Sequence, residues 1–177
     1  MVTYAVGPDM IEYMEIKRVI TIENEEATRA FGLELAREAK AGDVIALIGD
    51  LGTGKTALTR YIAEGLGIKA RISSPTFTIV KEYPMGRIPL YHFDVYRLAG
   101  DNDILPGQDI QGEEGREVRE RAIDELYNIG ADEYFEGRGL TVIEWADLIM
   151  EALPEDTKFI FIEYGEGEDQ RIYKCTF

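Results

Sequence analysis

The chain has 177 residues, 45% of them hydrophobic, with 34 acidic residues against 19 basic ones for a net charge of −15. That length and balance suit one domain with a real core, while the charge argues against tight, autonomous binding to a nucleic-acid backbone, and no DNA partner is expected. The single cysteine, Cys175, permits no internal disulfide, and no apolar run reaches the length of a bilayer span, so a cytoplasmic protein with no membrane association is expected.

Residues 1–18 read as an N-terminal extension: Met10, Ile11, Tyr13, Met14 and Ile16 keep no clean period. Val19 to Ile22 predicts a short strand. Asn24 or Thr21 then caps a helix over Glu25–Ala39, whose Ala27, Ala30, Phe31, Leu33, Leu35 and Ala36 form an apolar stripe. After the Gly42-Asp43 turn, Val44–Ile48 reads as a buried strand, and a helix follows over 55–66, closed by Gly67. A polar loop through Ser73-Ser74-Pro75-Thr76 leads to a strand over Phe77–Tyr83. PMGR (84–87) turns the chain into a second strand, Ile88–Asp94, and such close spacing predicts an antiparallel hairpin. Residues 100–120 are acidic and glycine-rich, becoming helical from about Arg116 through Val118, Ala122, Leu126 and Ile129. Strands are expected at Leu140–Glu144, 157–164 and 171–177, with GEGEDQ as the last turn. No internal repeat and no second domain is visible, so residues 19–177 read as one α/β P-loop domain. Its central sheet should be mostly parallel with antiparallel hairpins, and helices should cover both faces.

The run GDLGTGKT places Gly49 four residues before Gly54-Lys55-Thr56, between an apolar strand and an amphipathic helix. A chance glycine-rich turn is the bland alternative, but the complete pattern in its required context points to a phosphate cradle. Backbone N–H groups and the positive end of the helix would converge on phosphate oxygens. Lys55 would reach the terminal phosphates and Thr56 would ligate magnesium.

Thr76, in the loop beyond that helix, stands where a γ-phosphate could be sensed; alone it would be a turn residue after proline. Asp94 and Glu144 each end an apolar strand, and either could hold the metal shell as a Walker B acid does. Glu144 follows the cleaner buried strand, whereas Asp94 belongs to one read as half-buried. His92, the only histidine, reads as a satisfied strand side chain near the site, and Trp145 as the rim of that site. With no [NT]KxD element, adenine is the expected base. The residue three after Asp94 is Arg97 instead of a glycine, and no arginine-rich lid is present. Besides an ATPase, two other readings stay open: a phosphotransferase acting on a small molecule or protein, and a nucleotide-gated binding module.

GDLGTGKTALTR, SSPTFTIVKEY, LYHFDVYRL, DEYF and VIEWAD, in this order, resemble the TsaE (YjeE) family of P-loop ATPases from about residue 19 onward. The resemblance implies that Gly49, Asp50, Leu51, Gly52, Thr53, Gly54, Lys55, Thr56 and Ala57 bind ATP, with Trp145 beside them. Asn24, Glu25 and Arg171 would also approach the nucleotide. It further implies that Lys55, Thr76, Asp94 and Glu144 serve hydrolysis, with Thr56, Glu144 and Asp94 around Mg2+. The family's role is support of TsaB and TsaD in making threonylcarbamoyladenosine in tRNAs that read codons beginning with A, the tRNA being met indirectly through those partners. Two features depart from the family pattern: the N-terminal extension and an acidic insertion near 103–121.

Overall fold

The computed structural model describes residues 14–99 and 112–177. Seven strands form a single sheet: β1 (Arg18–Ile22), β2 (Val44–Ile48), β3 (Val80–Tyr83), β4 (Leu90–Asp94), β5 (Leu140–Glu144), β6 (Lys158–Tyr164) and β7 (Arg171–Cys175). Their spatial order is β1-β7-β6-β2-β5-β4-β3. The four central strands β6, β2, β5 and β4 run parallel. Antiparallel pairs β6–β7, β7–β1 and β4–β3 extend the sheet on its two sides. The expected architecture is therefore present, with the parallel pairing confined to the centre.

Strand β2 shows why this sequence makes a layered fold. All five residues of VIALI are buried, as a central parallel strand covered on both faces requires. Ile45 and Leu47 face helices α1 (Glu25–Glu38) and α2 (Lys55–Gly65), packing with Phe31, Leu35, Leu58 and Ile62. Val44, Ala46 and Ile48 point the other way, toward Val118, Ala122 and Leu126 of α3 (Gly112–Asn128) and toward α4 (Ala131–Phe135). The period of two splits one continuous apolar run between two cores. Burying each larger aliphatic side chain is worth about 1.5–3 kcal/mol.

Local chemistry adjusts several expected boundaries. Asn24 is the cap of α1, its Oδ1 accepting from Ala27 N at 3.0 Å, whereas Thr21 lies inside β1, paired with Ile172. The strand expected from Phe77 begins at Val80. Thr78 N and Ile79 N both donate to Pro75 O, at 2.9 and 2.7 Å, and Ile79 takes φ 65°, so the chain turns before it can pair. Helix α3 starts at Gly112, ahead of Arg116, and α4 covers the ADEYF segment. Strand β4, read as half-buried, lies between β5 and β3, and Leu90, His92, Phe93 and Asp94 are all buried.

Of the expected N-terminal extension, residues 1–13 lie outside the described residues; Met14 and Ile16 pack against the core, and Arg18 opposite Cys175 begins β1. Residues 103–111 of the acidic segment also lie outside them, while 112–121 belong to α3 and bury Val118. No helix among the described residues is long and apolar enough to cross a membrane.

Candidate functional site

The parallel strands end together, and the site lies beyond their carboxyl ends, where crossing connections leave a crevice. Strand β2 runs into the loop from Gly49, β5 ends at Glu144 and β4 at Asp94; the register sets Leu47 opposite Glu144 and Glu144 opposite Asp94. A cleft of about 450 Å³ is lined there by Gly52, Gly54, Lys55, Thr56 and Ala57, with Leu51 at its exposed edge. Ser74, Thr76, Asp94, Tyr96, Glu144 and Trp145 complete its walls.

The glycines are sterically required. A Cβ on Gly49 would lie 2.5 Å from Ile162 O, and Gly54 holds φ 102°. Gly54 caps α2 without any side-chain acceptor, so the first-turn amides of α2 are not satisfied by a capping side chain. Lys55 is 5% exposed and folds back over the loop, its Nζ donating to Gly49 O at 2.5 Å and Asp50 O at 2.9 Å. The same Nζ lies 3.7 Å from the centre of the Trp145 ring. Burial pulls its pKa below the ordinary lysine range, opposed by Glu144, Asp147 and Asp94. Trp145 itself takes φ 62°, an uncommon backbone for a bulky residue.

Two carboxylates organise the cleft differently. Glu144, 2% exposed, accepts from Thr56 Oγ1 on Oε2 at 2.8 Å, and its Oε1 meets His92 Nε2 at 2.7 Å. His92 is fully buried, and its Nδ1 has no partner; a proton on Nε2 lets the ring donate to the carboxylate. Asp94 instead clasps the loop after α2. Its Oδ2 accepts from Ser74 Oγ and from Thr76 Oγ1, the latter at 3.0 Å, and its Oδ1 accepts from Tyr96 N at 3.1 Å. Ser74 and Thr76 hydroxyls also lie 2.8 Å apart.

The far strands hold the loop from its other side. Tyr164 OH donates to Leu51 O at 2.6 Å, and Arg171 Nε donates to Thr53 O at 3.2 Å while its guanidinium covers the Tyr164 ring. Thr53 Oγ1 donates to Asp50 O at 2.9 Å. Asn24 and Glu25 do not line the cleft: one caps α1, and the other accepts from Tyr61 OH at 2.5 Å.

Sequence reasoning missed four contributors. Ser74 was legible only as a turn residue, and its neighbour Thr76 was the available signal. Tyr96 enters through its backbone and Tyr164 through a strand 113 positions from Leu51, so no local pattern marks either. Asp147, whose Oδ1 is buried without a hydrogen-bond partner and whose pKa burial pushes up, sits two residues past Trp145.

Central parallel strands, a glycine loop opening an uncapped helix, and a lysine folded onto the loop carbonyls define an α/β P-loop fold with its phosphate-cradle geometry. Residues 22–173 match the family described as "Threonylcarbamoyl adenosine biosynthesis protein TsaE". The chain belongs to the TsaE family. It is 44% identical over 148 residues to the tRNA threonylcarbamoyladenosine biosynthesis protein TsaE of Bacillus subtilis, covering 84% of this chain and 78% of that one. The TsaE of Nostoc is 35% identical over 167 residues, covering 90% and 88%. The crystal structure of Bacillus subtilis YdiB superposes with a TM-score of 0.67 at 38% identity, covering 91% of this chain and 86% of that chain.

Proposed function

We propose that this chain binds ATP with magnesium and hydrolyses it. We further propose that it does so in the cytoplasm, as an accessory subunit in threonylcarbamoyladenosine formation on tRNAs that read codons beginning with A. The observation that carries the ATPase reading is the meeting of Thr56 and Glu144 at the mouth of an uncapped α2, with Lys55 beside them. The pathway reading rests on family membership and on the names of the two TsaE relatives. TsaB- and TsaD-like proteins are the partners proposed, and tRNA is reached through them, since a chain at −15 releases few counterions from RNA.

The residues present fit a nucleotide phosphate chain and a hard cation. The first-turn amides of α2 offer donors with no side-chain acceptor, and Lys55 brings a charge whose burial cost an anion would offset. Thr56 and Glu144 would hold magnesium, with Asp94 next to them in register. Among the described residues no three His, Cys, Asp or Glu side chains are grouped as a metal cage, and a hard cation in a phosphate site takes its other ligands from phosphate and water. When bound, magnesium supplies charge neutralisation at the phosphate oxygens. Glu144, held by His92, keeps its carboxylate aimed at Thr56. Asp94 holds Ser74 and Thr76 at the cleft wall, so a change at Thr76 is transmitted to the exposed loop that carries Phe77.

The deciding experiment follows the terminal phosphate of labelled ATP with the chain alone and with TsaB- and TsaD-like partners. Label released to water, faster with partners, is expected, together with partner-dependent repeated turnover of the tRNA modification. Label recovered on a small molecule or protein would replace the ATPase reading with a phosphotransferase.

A further inference from the structure

Beside the phosphate cleft lies a second one of about 640 Å³, sharing Thr56 and Ser74 with it as common walls. Arg60 follows Thr56 by four residues on α2, so the two share a helix face. Arg71 also lines it, on the segment that leads into Ser73 and Ser74. No carboxylate lines this cleft. In a chain with 34 acidic and 19 basic residues, that absence is itself informative. Glu64, four residues beyond Arg60 on α2, is engaged elsewhere, accepting from Arg29 at 2.5 Å. Among the described residues neither Arg60 nor Arg71 is in an ion pair. Lys81 adds a third cation at the rim, its Nζ donating to Ser73 Oγ at 2.8 Å.

From this geometry we infer a second anion site, in which Arg60 and Arg71 take inorganic phosphate or a phosphomonoester next to the nucleotide cleft. Every charged side chain lining the cleft is a guanidinium, the group whose planar fork of donors matches a phosphate's oxygens. The Ser73 hydroxyl, which accepts from Lys81, keeps its own proton to donate to the same anion. The shared wall makes this the adjoining position for phosphate released at Lys55 and Thr56. That last step rests on the ATPase reading; the anion site itself does not.

The test uses the full chain and inorganic phosphate. Equilibrium dialysis with labelled phosphate is run with saturating Mg-ADP, so that the first cleft is filled, on the wild type and on a variant carrying Arg60→Ala and Arg71→Ala. One phosphate per chain is expected in the wild type, with affinity at least about tenfold lower in the double variant, unchanged ADP affinity, and partial recovery with Arg60→Lys and Arg71→Lys. Phosphate affinity equal in both proteins would overturn the site. So would RNA oligonucleotide binding that depends on both arginines while free phosphate does not bind. If the wild type binds no nucleotide, the ATPase reading fails; phosphate binding that still depends on both arginines would then uphold the anion site alone.

Discussion

Thr56 and Glu144 meet across the cleft, the hydroxyl in the first turn of α2 donating to the carboxylate that ends β5 at 2.8 Å. Because His92 occupies the other carboxylate oxygen, Glu144 is fixed from two sides. Glu144→Gln keeps the shape and loses the charge. We expect nucleotide affinity to stay within a few-fold and magnesium-dependent hydrolysis to fall by about a hundredfold. A variant that hydrolyses ATP at the wild-type rate would remove Glu144 from the metal site, and the same loss appearing only in Asp94→Asn would reverse the roles of the two acids.

Lys55→Ala removes the charge that the loop carbonyls of Gly49 and Asp50 now hold. The backbone cradle survives, so ATP binding should weaken by about tenfold while hydrolysis drops below detection. Calorimetry and phosphate release measure the two separately. Unchanged turnover would contradict the phosphate role of the loop.

The Lys55 ammonium lies 3.7 Å from the Trp145 ring centre. A nucleotide that draws Lys55 toward phosphate should change the emission of this tryptophan, the only one in the chain. Lys55→Met should shift the emission without nucleotide and abolish the response. A flat titration, in protein that binds nucleotide by calorimetry, would place the phosphates away from Lys55.

Asp94 satisfies Ser74, Thr76 and the Tyr96 amide at once. Asp94→Ala strands these groups and should cost about 2–4 kcal/mol of stability, since hydrogen bonds to a charged group are worth about 1.5–3 kcal/mol each. Amide exchange should quicken over residues 73–79 and stay unchanged in β6. Uniform exchange across both segments would show that Asp94 does not clasp the loop.

Cys175 is buried opposite Arg18, and burial raises its thiol from 9.0 to about 11. A raised native pKa means the folded state holds the proton longer. The stabilisation is therefore complete below pH 9 and is lost as pH climbs to about 11. Relative to Cys175→Ala, the wild type should lose about 2–3 kcal/mol across that interval. Parallel pH profiles for the two proteins would mean the thiolate is as comfortable folded as unfolded.

The phosphate loop and its two flanking elements were legible because their signals are local: VIALI bounds β2, and the glycine spacing fixes where α2 begins. Glu144 could be read from the apolar run before it. The His92–Glu144 contact could not, since it joins residues 52 positions apart and depends on β4 lying beside β5 with His92 opposite Val142. For the same reason β4 looked half-buried. Its local alternation says nothing about β3 pairing on its far side. The late start of β3 follows from Pro75 O accepting two amides, which a β-rich stretch of residues conceals. Asn24 and Glu25 were expected at the nucleotide through resemblance; their side chains face a helix cap and Tyr61.

The neighbours of β2 come late in the chain: Val44 pairs beside Thr141, and Ile45 beside Lys158. A ribosome-bound chain therefore carries the whole glycine loop long before its supporting strand has an edge to bond. Contacts of such sequence separation slow folding, and they leave an apolar five-residue segment open on both edges in the meantime. Any product cut short before residue 140 keeps that segment permanently unpaired. It would be a substrate for chaperones or aggregation, and it could not act as a smaller version of the nucleotide domain.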